Sequence, residues 1–160
     1  GPGRIFATAA SVSGQFWVLG GAELFKDSDD KPSRRYLTDA YAFDPDNGWS
    51  RIANIPSPVT AAPSPAPTDE RGFYLLGGDD GTQVGVDATK HRGFSKRILR
   101  FDVEEGAWHD AGELPEPRVT VPCVIWNDRW VIASGEIRPG MRSPQVWNFE
   151  PAFHEKAHQP

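Results

Sequence analysis

Short apolar runs, separated by turn-forming residues, dominate the pattern of hydrophobic and polar positions along the chain. The run FWVLGG at residues 16–21 recurs as FYLLGG at 73–78 and, altered, as WVIASG at 130–135, so that each step is 57 residues. Trp49 is likewise followed 59 residues later by Trp108. An internal repeat of about 50 to 60 residues is typical of propeller blades. The pattern therefore predicts an all-β propeller.

Three repeat units can be delimited from these landmarks. Repeat unit 1 covers about residues 4–56 and repeat unit 2 about 59–115, whereas repeat unit 3, about 118–153, is incomplete and is followed by a tail at 154–160. We expect the whole chain to form a single partial propeller. Alternating apolar residues and turn residues predict four antiparallel strands in each unit.

The predicted strands of unit 1 are 4–12, 15–19 and 39–43, with a fourth that begins at Trp49, and a polar loop is expected at 22–38. The double glycine at the end of the second strand suits close backbone approach near a propeller axis. Large aromatic residues such as Trp49 or Trp108 would fill the wedge between blades.

Prolines interrupt the first predicted strand of unit 2, at positions 63, 65 and 67. Proline has no amide hydrogen to donate, so this strand should be irregular or poorly paired.

The chain thus holds about three blades, which is half of a six-bladed propeller. Propellers close with about four to eight blades, because each wedge buries its faces only against its neighbours. Two alternatives follow: the chain is an excerpt of a longer propeller, or two copies meet and close a six-bladed ring. The opening GPG resembles a cleavage scar or cut point, so the lack of a signal pattern there says little about the natural gene.

Composition narrows the range of partners. The 160 residues carry a net charge of −5 and their basic residues are scattered, so we expect no nucleic-acid partner. No segment has the roughly 18 apolar residues of a membrane span, and no membrane partner is expected. The single cysteine, Cys123, cannot form an internal disulfide and is expected to be a small buried hydrophobe.

A charged loop at 134–143 is the main candidate for chemistry. It follows the predicted strand at 130–133 and carries Glu136, Arg138 and Arg142 among turn-forming residues. Loops at strand ends are where binding and catalytic groups sit on a β scaffold, although a solvated loop is the simpler alternative. His91, in the long loop at 79–96, could reach a pocket at the same end of the propeller.

Metal sites are not expected. The segment HEKAH at 154–158 matches the pattern H-E-x-x-H of zinc proteases, but it lies in the tail with no apolar helical run around it. We interpret it as part of a frayed end, and no metal or organic cofactor is predicted.

Several of these landmarks resemble kelch repeats: the apolar run followed by Gly-Gly, the segment YAFDP at 41–45, the tryptophans at 49 and 108, and the arginines that open units 1 and 3, Arg4 and Arg118. More specifically, SGEIRPGMRS at 134–143 resembles the segment G-E-x-x-P-G-x-R of the bacterial N-acetylneuraminate epimerases, also called sialic acid mutarotases. The resemblance runs over nearly the whole chain but covers only about half of a family member, which is a six-bladed propeller.

The resemblance implies a carbohydrate isomerase that interconverts anomers of N-acetylneuraminate or a related acidic sugar. Glu136 and Arg142 match the pair that the family is thought to use at its active site: Glu136 would move protons and Arg142 would hold the sugar carboxylate. Arg138 and His91 are expected as further substrate contacts. Ser134, where the other units have glycine, departs from the repeat.

A small acidic sugar is therefore the expected ligand, and a homodimer or the remainder of a longer chain would complete the ring. The resemblance suggests a periplasmic or secreted location. The competing function is a non-catalytic kelch interaction module that binds a protein or a glycan.

Overall fold

The computed structural model describes residues 1–150, which fold into fourteen strands. The strands are β1 Thr8–Val12, β2 Gln15–Leu19, β3 Ala22–Lys26, β4 Pro32–Tyr36, β5 Ala40–Asp44, β6 Gly48–Arg51, β7 Gly72–Gly78, β8 Ser95–Asp102, β9 Ala107–Glu113, β10 Cys123–Trp126, β11 Arg129–Ala133, β12 Glu136–Arg138, β13 Met141–Arg142 and β14 Val146–Phe149. No helix occurs within this range, and so none there is long and apolar enough to cross a membrane.

Three larger antiparallel sheets coincide with the three repeat units. Their strand orders are β1-β2-β5-β6, β7-β8-β9 and β10-β11-β14. Two small hairpins, β3–β4 and β12–β13, extend from the loops of units 1 and 3. The predicted all-β fold is confirmed. The end of unit 3 and the tail at 154–160, including the HEKAH segment, lie outside the described residues.

Successive sheets pack face against face, and β7 shows why its sequence is a continuous apolar run. Phe73 and Leu75 join a core cluster with Trp17 of unit 1, whereas Tyr74 and Leu76 join a second cluster with residues of unit 3. All seven residues of β7 are buried. Side chains alternate between the two faces of a strand, so a strand between two other sheets must be apolar throughout.

The chain segments that open the units lie next to one another and repeat an unusual backbone conformation. Phe6, Ala61 and Thr120 have φ of 57°, 57° and 56°. The amide of Ala61 donates to the carbonyl oxygen of Phe6 at 2.9 Å, and the amide of Thr120 donates to that of Ala61 at 2.8 Å. The same contact therefore links unit 1 to unit 2 and unit 2 to unit 3.

The arginines that open units 1 and 3 are structural. Arg4 forms a two-pronged ion pair with Asp39, with N–O distances of 2.8 and 2.9 Å. Arg118 is 1% exposed and donates to Glu116 at 2.7 Å and to the Ser143 hydroxyl at 3.1 Å. Each guanidinium thereby ties the start of its unit to the segment that precedes the third strand of its sheet.

The structure corrects three details of the prediction. Only the first of the three larger sheets has four strands within residues 1–150. The expected polar loop at 22–38 instead contains the hairpin β3–β4. In unit 2 the proline-rich segment makes isolated bridges in place of a strand, so the predicted poor pairing is confirmed.

The third correction concerns the tryptophans. Trp108 fills the wedge between units as predicted: it packs against Phe73 and Phe101, and its indole nitrogen donates to the carbonyl oxygen of Ala53 at 2.9 Å. Trp49 instead lies on the outer face of unit 1 with 58% of its surface exposed.

Candidate functional site

Three loops leave the same end of the sheets, each after the second strand in sequence of its repeat unit. The turn that starts each loop needs two consecutive residues with positive φ: 56° and 89° at residues 20–21, 69° and 99° at 77–78, and 68° and 110° at 134–135. Glycine adopts this region without strain. Ser134 adopts it too, so the substitution in unit 3 leaves the turn intact.

The residue after each of these pairs occupies an equivalent backbone position. Ala22, Asp79 and Glu136 are spaced by 57 residues, and each forms an antiparallel bridge to the start of its own unit, at Ile5, Thr60 and Val119 respectively. Units 2 and 3 thus place a carboxylate where unit 1 has a methyl group.

An open cleft of about 480 Å³ lies among the three loops. The hairpin β3–β4 forms one side, the long loop of unit 2 forms another, and the hairpin β12–β13 contributes the third. The polar side chains that line the cleft are Ser33, Arg34, Tyr36, Asp79, Gln83, His91 and Glu136. Apolar surface comes from Pro32, Val84, Val86, Phe94 and Pro139.

Glu136 is held in place on its hairpin. Its backbone amide and carbonyl both pair with Val119 at 3.0 Å, and its carboxylate oxygen Oε1 accepts a hydrogen bond from the amide of Gly140 at 2.6 Å. Within residues 1–150, the other carboxylate oxygen accepts no hydrogen bond from the protein. A fixed carboxylate with one free oxygen can take or give a proton in the cleft.

Arg142 is the direct cross-strand partner of Glu136 in the hairpin β12–β13. Directly opposed residues in an antiparallel pair project to the same face of the sheet. The Arg142 side chain is exposed, however, and it neither lines the cleft nor forms an ion pair with Glu136 within the described range. Arg138 is half-buried and also does not line the cleft. That the two arginines contact a ligand stays a prediction.

His91 lies in the cleft, as the sequence suggested, and is buried. Its Nδ1 accepts a hydrogen bond from the amide of Gly93 at 3.1 Å, and its ring packs against Phe94 with centroids 5.2 Å apart. A nitrogen that accepts from an amide carries no proton, so the neutral ring has its hydrogen on Nε2. His91 can therefore donate one hydrogen bond.

Sequence reasoning missed Asp79 and Tyr36. The Tyr36 hydroxyl donates to Asp79 Oδ2 at 2.9 Å across the gap between units 1 and 2. Burial and the bond to Asp79 raise the pKa of Tyr36 above its usual value, so its hydroxyl stays protonated at neutral pH. The 57-residue repeat could have pointed to Asp79 as the counterpart of Glu136, but no sequence signal marks Tyr36.

No protein-family model matches this chain. Several sequence relatives are N-acetylneuraminate epimerases.

The relative from Pasteurella multocida (strain Pm70) is 25% identical over 162 residues, which are 85% of this chain and 42% of the relative. The one from Haemophilus influenzae (strain PittEE) is 24% identical over 164 residues, which are 86% of this chain and 42% of the relative. The relative from Yersinia pestis (strain Pestoides F) is 25% identical over 173 residues, which are 92% of this chain and 44% of the relative. The chain thus spans less than half the length of these relatives, and the resemblance stated from the motif at 134–143 is confirmed.

The solved structure of YjhT is similar to this chain with a TM-score of 0.67 and 24% identity, covering 89% of this chain and 47% of that one. This likeness confirms the predicted propeller-like fold. The number of blades in the complete ring stays a prediction.

Proposed function

We propose that this chain belongs to the active part of a carbohydrate isomerase of the mutarotase type, which interconverts the anomers of N-acetylneuraminate or a related acidic sugar. The observation that carries the proposal is the position of Glu136, a fixed carboxylate with a free oxygen in a cleft formed by three loops. The names of the sequence relatives support the choice of substrate.

Mutarotation needs two proton transfers. A base takes the proton of the anomeric hydroxyl while the ring oxygen gains a proton, so that the bond between the anomeric carbon and the ring oxygen breaks and a carbonyl forms. The carbonyl group rotates, and the ring closes on its other face with the two protons returned. Glu136 would carry the proton between these oxygens, a contribution of about 10²- to 10⁴-fold to the rate.

The basic side chains of the hairpin β12–β13 would bind the anionic end of the sugar. Arg142 is on the same face as Glu136, and a guanidinium can hold a carboxylate through two parallel hydrogen bonds. Arg138 would be a second contact to the carboxylate. His91 would donate its Nε2 hydrogen to a sugar oxygen.

Further wedge-shaped units would have to complete the ring around this open cleft, and we propose that a second copy of the chain supplies them. The outer face of unit 3 exposes Val124, Trp126 and Val146, with exposed fractions of 52–67%. The outer face of unit 1 exposes Phe16 and Trp49. At the two internal interfaces, the corresponding faces are buried in the core clusters.

NMR can test the proposed function. The measurement starts from a sample that contains one anomer of N-acetylneuraminate and follows its exchange into the other anomer. We expect the parent protein to accelerate the exchange and Glu136→Gln to lose about 100-fold or more of that acceleration. The matched control is Glu113→Gln on β9. Glu113 forms an exposed ion pair with Lys96, and this variant should be as active as the parent.

Two results would contradict the proposal: an exchange rate that the parent protein leaves unchanged, or a Glu136→Gln variant as active as the parent. Binding of the sugar without acceleration would instead favour a non-catalytic glycan-binding module.

A further inference from the structure

We propose that Asp79, held by Tyr36, is a second ligand-binding carboxylate of the cleft, which accepts hydrogen bonds from hydroxyl groups of the sugar. The inference rests on the proposed function and adds to it a residue that orients the sugar in the cleft that Glu136 also lines.

The first argument is the equivalence of Asp79 and Glu136 in the repeat. Both follow the positive-φ pair of their unit, and both line the cleft. The backbone of Asp79 pairs with Thr60 through two hydrogen bonds of 2.8 and 3.0 Å, as that of Glu136 pairs with Val119. The fold therefore delivers the two carboxylates to the cleft from neighbouring units by the same backbone geometry.

The second argument is the state of the Asp79 carboxylate. Its Oδ2 accepts the Tyr36 hydroxyl at 2.9 Å, and its Oδ1 accepts the amide of Gly81 at 3.0 Å. Each carboxylate oxygen can accept about two hydrogen bonds, so both oxygens keep capacity for a ligand. Because the group is fixed from two sides, little conformational entropy is lost when it binds.

The third argument is the chemistry around Asp79. The cleft combines carboxylates with the imidazole of His91, the cation of Arg34 and apolar surface from Phe94 and Val86. A sugar presents hydroxyl donors at its rim and C–H groups on its ring faces, and such a lining complements both. Hydrogen bonds from hydroxyl groups to a carboxylate are charge-assisted and therefore stronger than neutral ones.

A purely structural role for the pair must be distinguished from ligand binding, because Tyr36 and Asp79 also join the loops of units 1 and 2. Asp79→Asn makes the distinction: its amide oxygen can still accept from the Gly81 amide and its amide nitrogen can donate to the Tyr36 hydroxyl oxygen, but the negative charge is lost. Tyr36→Phe does the opposite, since it removes the link and keeps the carboxylate. Asp80→Asn is the matched control, because within residues 1–150 the Asp80 side chain bonds only to Thr82 and does not line the cleft.

The experiment measures the dissociation constant of N-acetylneuraminate by NMR titration, together with the melting temperature of each variant. We expect Asp79→Asn to weaken binding by about 10- to 100-fold at an unchanged melting temperature, as for loss of a charged hydrogen bond. Tyr36→Phe should weaken binding by less than Asp79→Asn, and Asp80→Asn should leave it unchanged.

Equal binding by Asp79→Asn and the parent would overturn the inference, while acceleration of anomer exchange by the parent would leave the proposed function standing. If the parent binds the sugar and does not accelerate exchange, the proposed function fails and a weakened Asp79→Asn still supports this binding role. A parent protein that does not bind the sugar overturns both.

Discussion

The amide of Ala61 donates a hydrogen bond to the carbonyl oxygen of Phe6 at 2.9 Å, and both residues adopt the left-handed backbone conformation. Thr120 repeats the contact with Ala61. These two hydrogen bonds form a series that runs from unit 1 to unit 3. Within residues 1–150, the Phe6 amide at its start and the Thr120 carbonyl at its end have no backbone hydrogen-bond partner. A contact that repeats from unit to unit around an axis generates a closed ring when enough units are present.

We therefore predict that two copies associate, with the outer face of unit 3 against the outer face of unit 1 of the other copy. Light scattering should give twice the mass of one chain. Trp126→Glu should give a monomer, because it places a charge on an exposed apolar face, whereas Val84→Glu, on the exposed loop of unit 2, should stay dimeric. A parent protein that is monomeric at high concentration would contradict this prediction.

The charged side chains of β8 differ in burial, and so should their contributions to stability. Arg100 pairs with Asp69 and Asp102, and all three side chains are at most 12% exposed. Arg100→Met should lower the free energy of unfolding by about 3 kcal/mol, since it removes a buried guanidinium that two buried carboxylates share, although Asp102 keeps its ion pair with Arg71. Arg97→Met, which breaks an exposed ion pair on the same strand, should cost about 1 kcal/mol or less. Equal losses in chemical denaturation would show that Arg100 is not a buried partner.

Stability should depend on pH through Asp39. Burial opposes its ionisation, but the hydrogen bonds from Arg4 and Tyr41 outweigh burial and hold the pKa of Asp39 below its usual value. The ionised group should therefore stabilise the fold fully above the unfolded-state pKa of about 3.9 and lose this contribution as pH falls through its lower folded-state value.

Thermal unfolding of Asp39→Asn from pH 7 to pH 2 tests this pH dependence. The variant should be less stable than the parent at neutral pH, and the difference should shrink in acid. Asp29→Asn, in an exposed ion pair with Lys31, should follow the parent at every pH. A constant difference between Asp39→Asn and the parent would contradict the assignment.

We predict opposite effects on the melting temperature for substitutions in two of the loop turns. Ser134 has φ of 68°, a conformation that costs a residue with a side chain about 1–2 kcal/mol, so Ser134→Gly should raise the melting temperature. Gly20→Ala should lower it, because an added methyl group would lie 2.3 Å from the carbonyl oxygen of Val59. Differential scanning fluorimetry of the two variants checks both signs, and a stabilising Gly20→Ala would refute the close approach.

The thiol of Cys123 should be inert in the folded protein. It is fully buried between units 2 and 3, and burial raises its pKa to about 12. Alkylation by iodoacetamide at pH 8 should be at least about 100-fold slower in native protein than in denaturant, because only an exposed thiolate reacts. Rapid labelling of native protein, followed by mass spectrometry, would contradict the burial.

The sequence by itself determined the repeat and, with it, much of the fold. The 57-residue spacing marked the second strand of each unit, and the charged loop at 134–143 was recognisable as a strand-end segment before any coordinates. These features are local: apolar alternation, paired positive-φ residues and turns depend on neighbouring residues, so they can be read along the chain. The hairpin β3–β4 escaped prediction because its residues are largely exposed. Strand β4 is mostly polar, and the apolar Leu24 and Phe25 of β3 are adjacent, which gives no alternating pattern.

Only the tertiary structure decided which side chains share the cleft. Tyr36 and Asp79 are 43 residues apart and belong to different units, yet they meet at 2.9 Å because adjacent sheets pack and bring their loops together. The tertiary structure likewise placed His91 on the cleft and left Arg142 exposed beside it. Contacts between units depend on the angle at which two sheets pack, and that angle follows from the combined volumes of the buried side chains at each interface, which no single segment of sequence specifies.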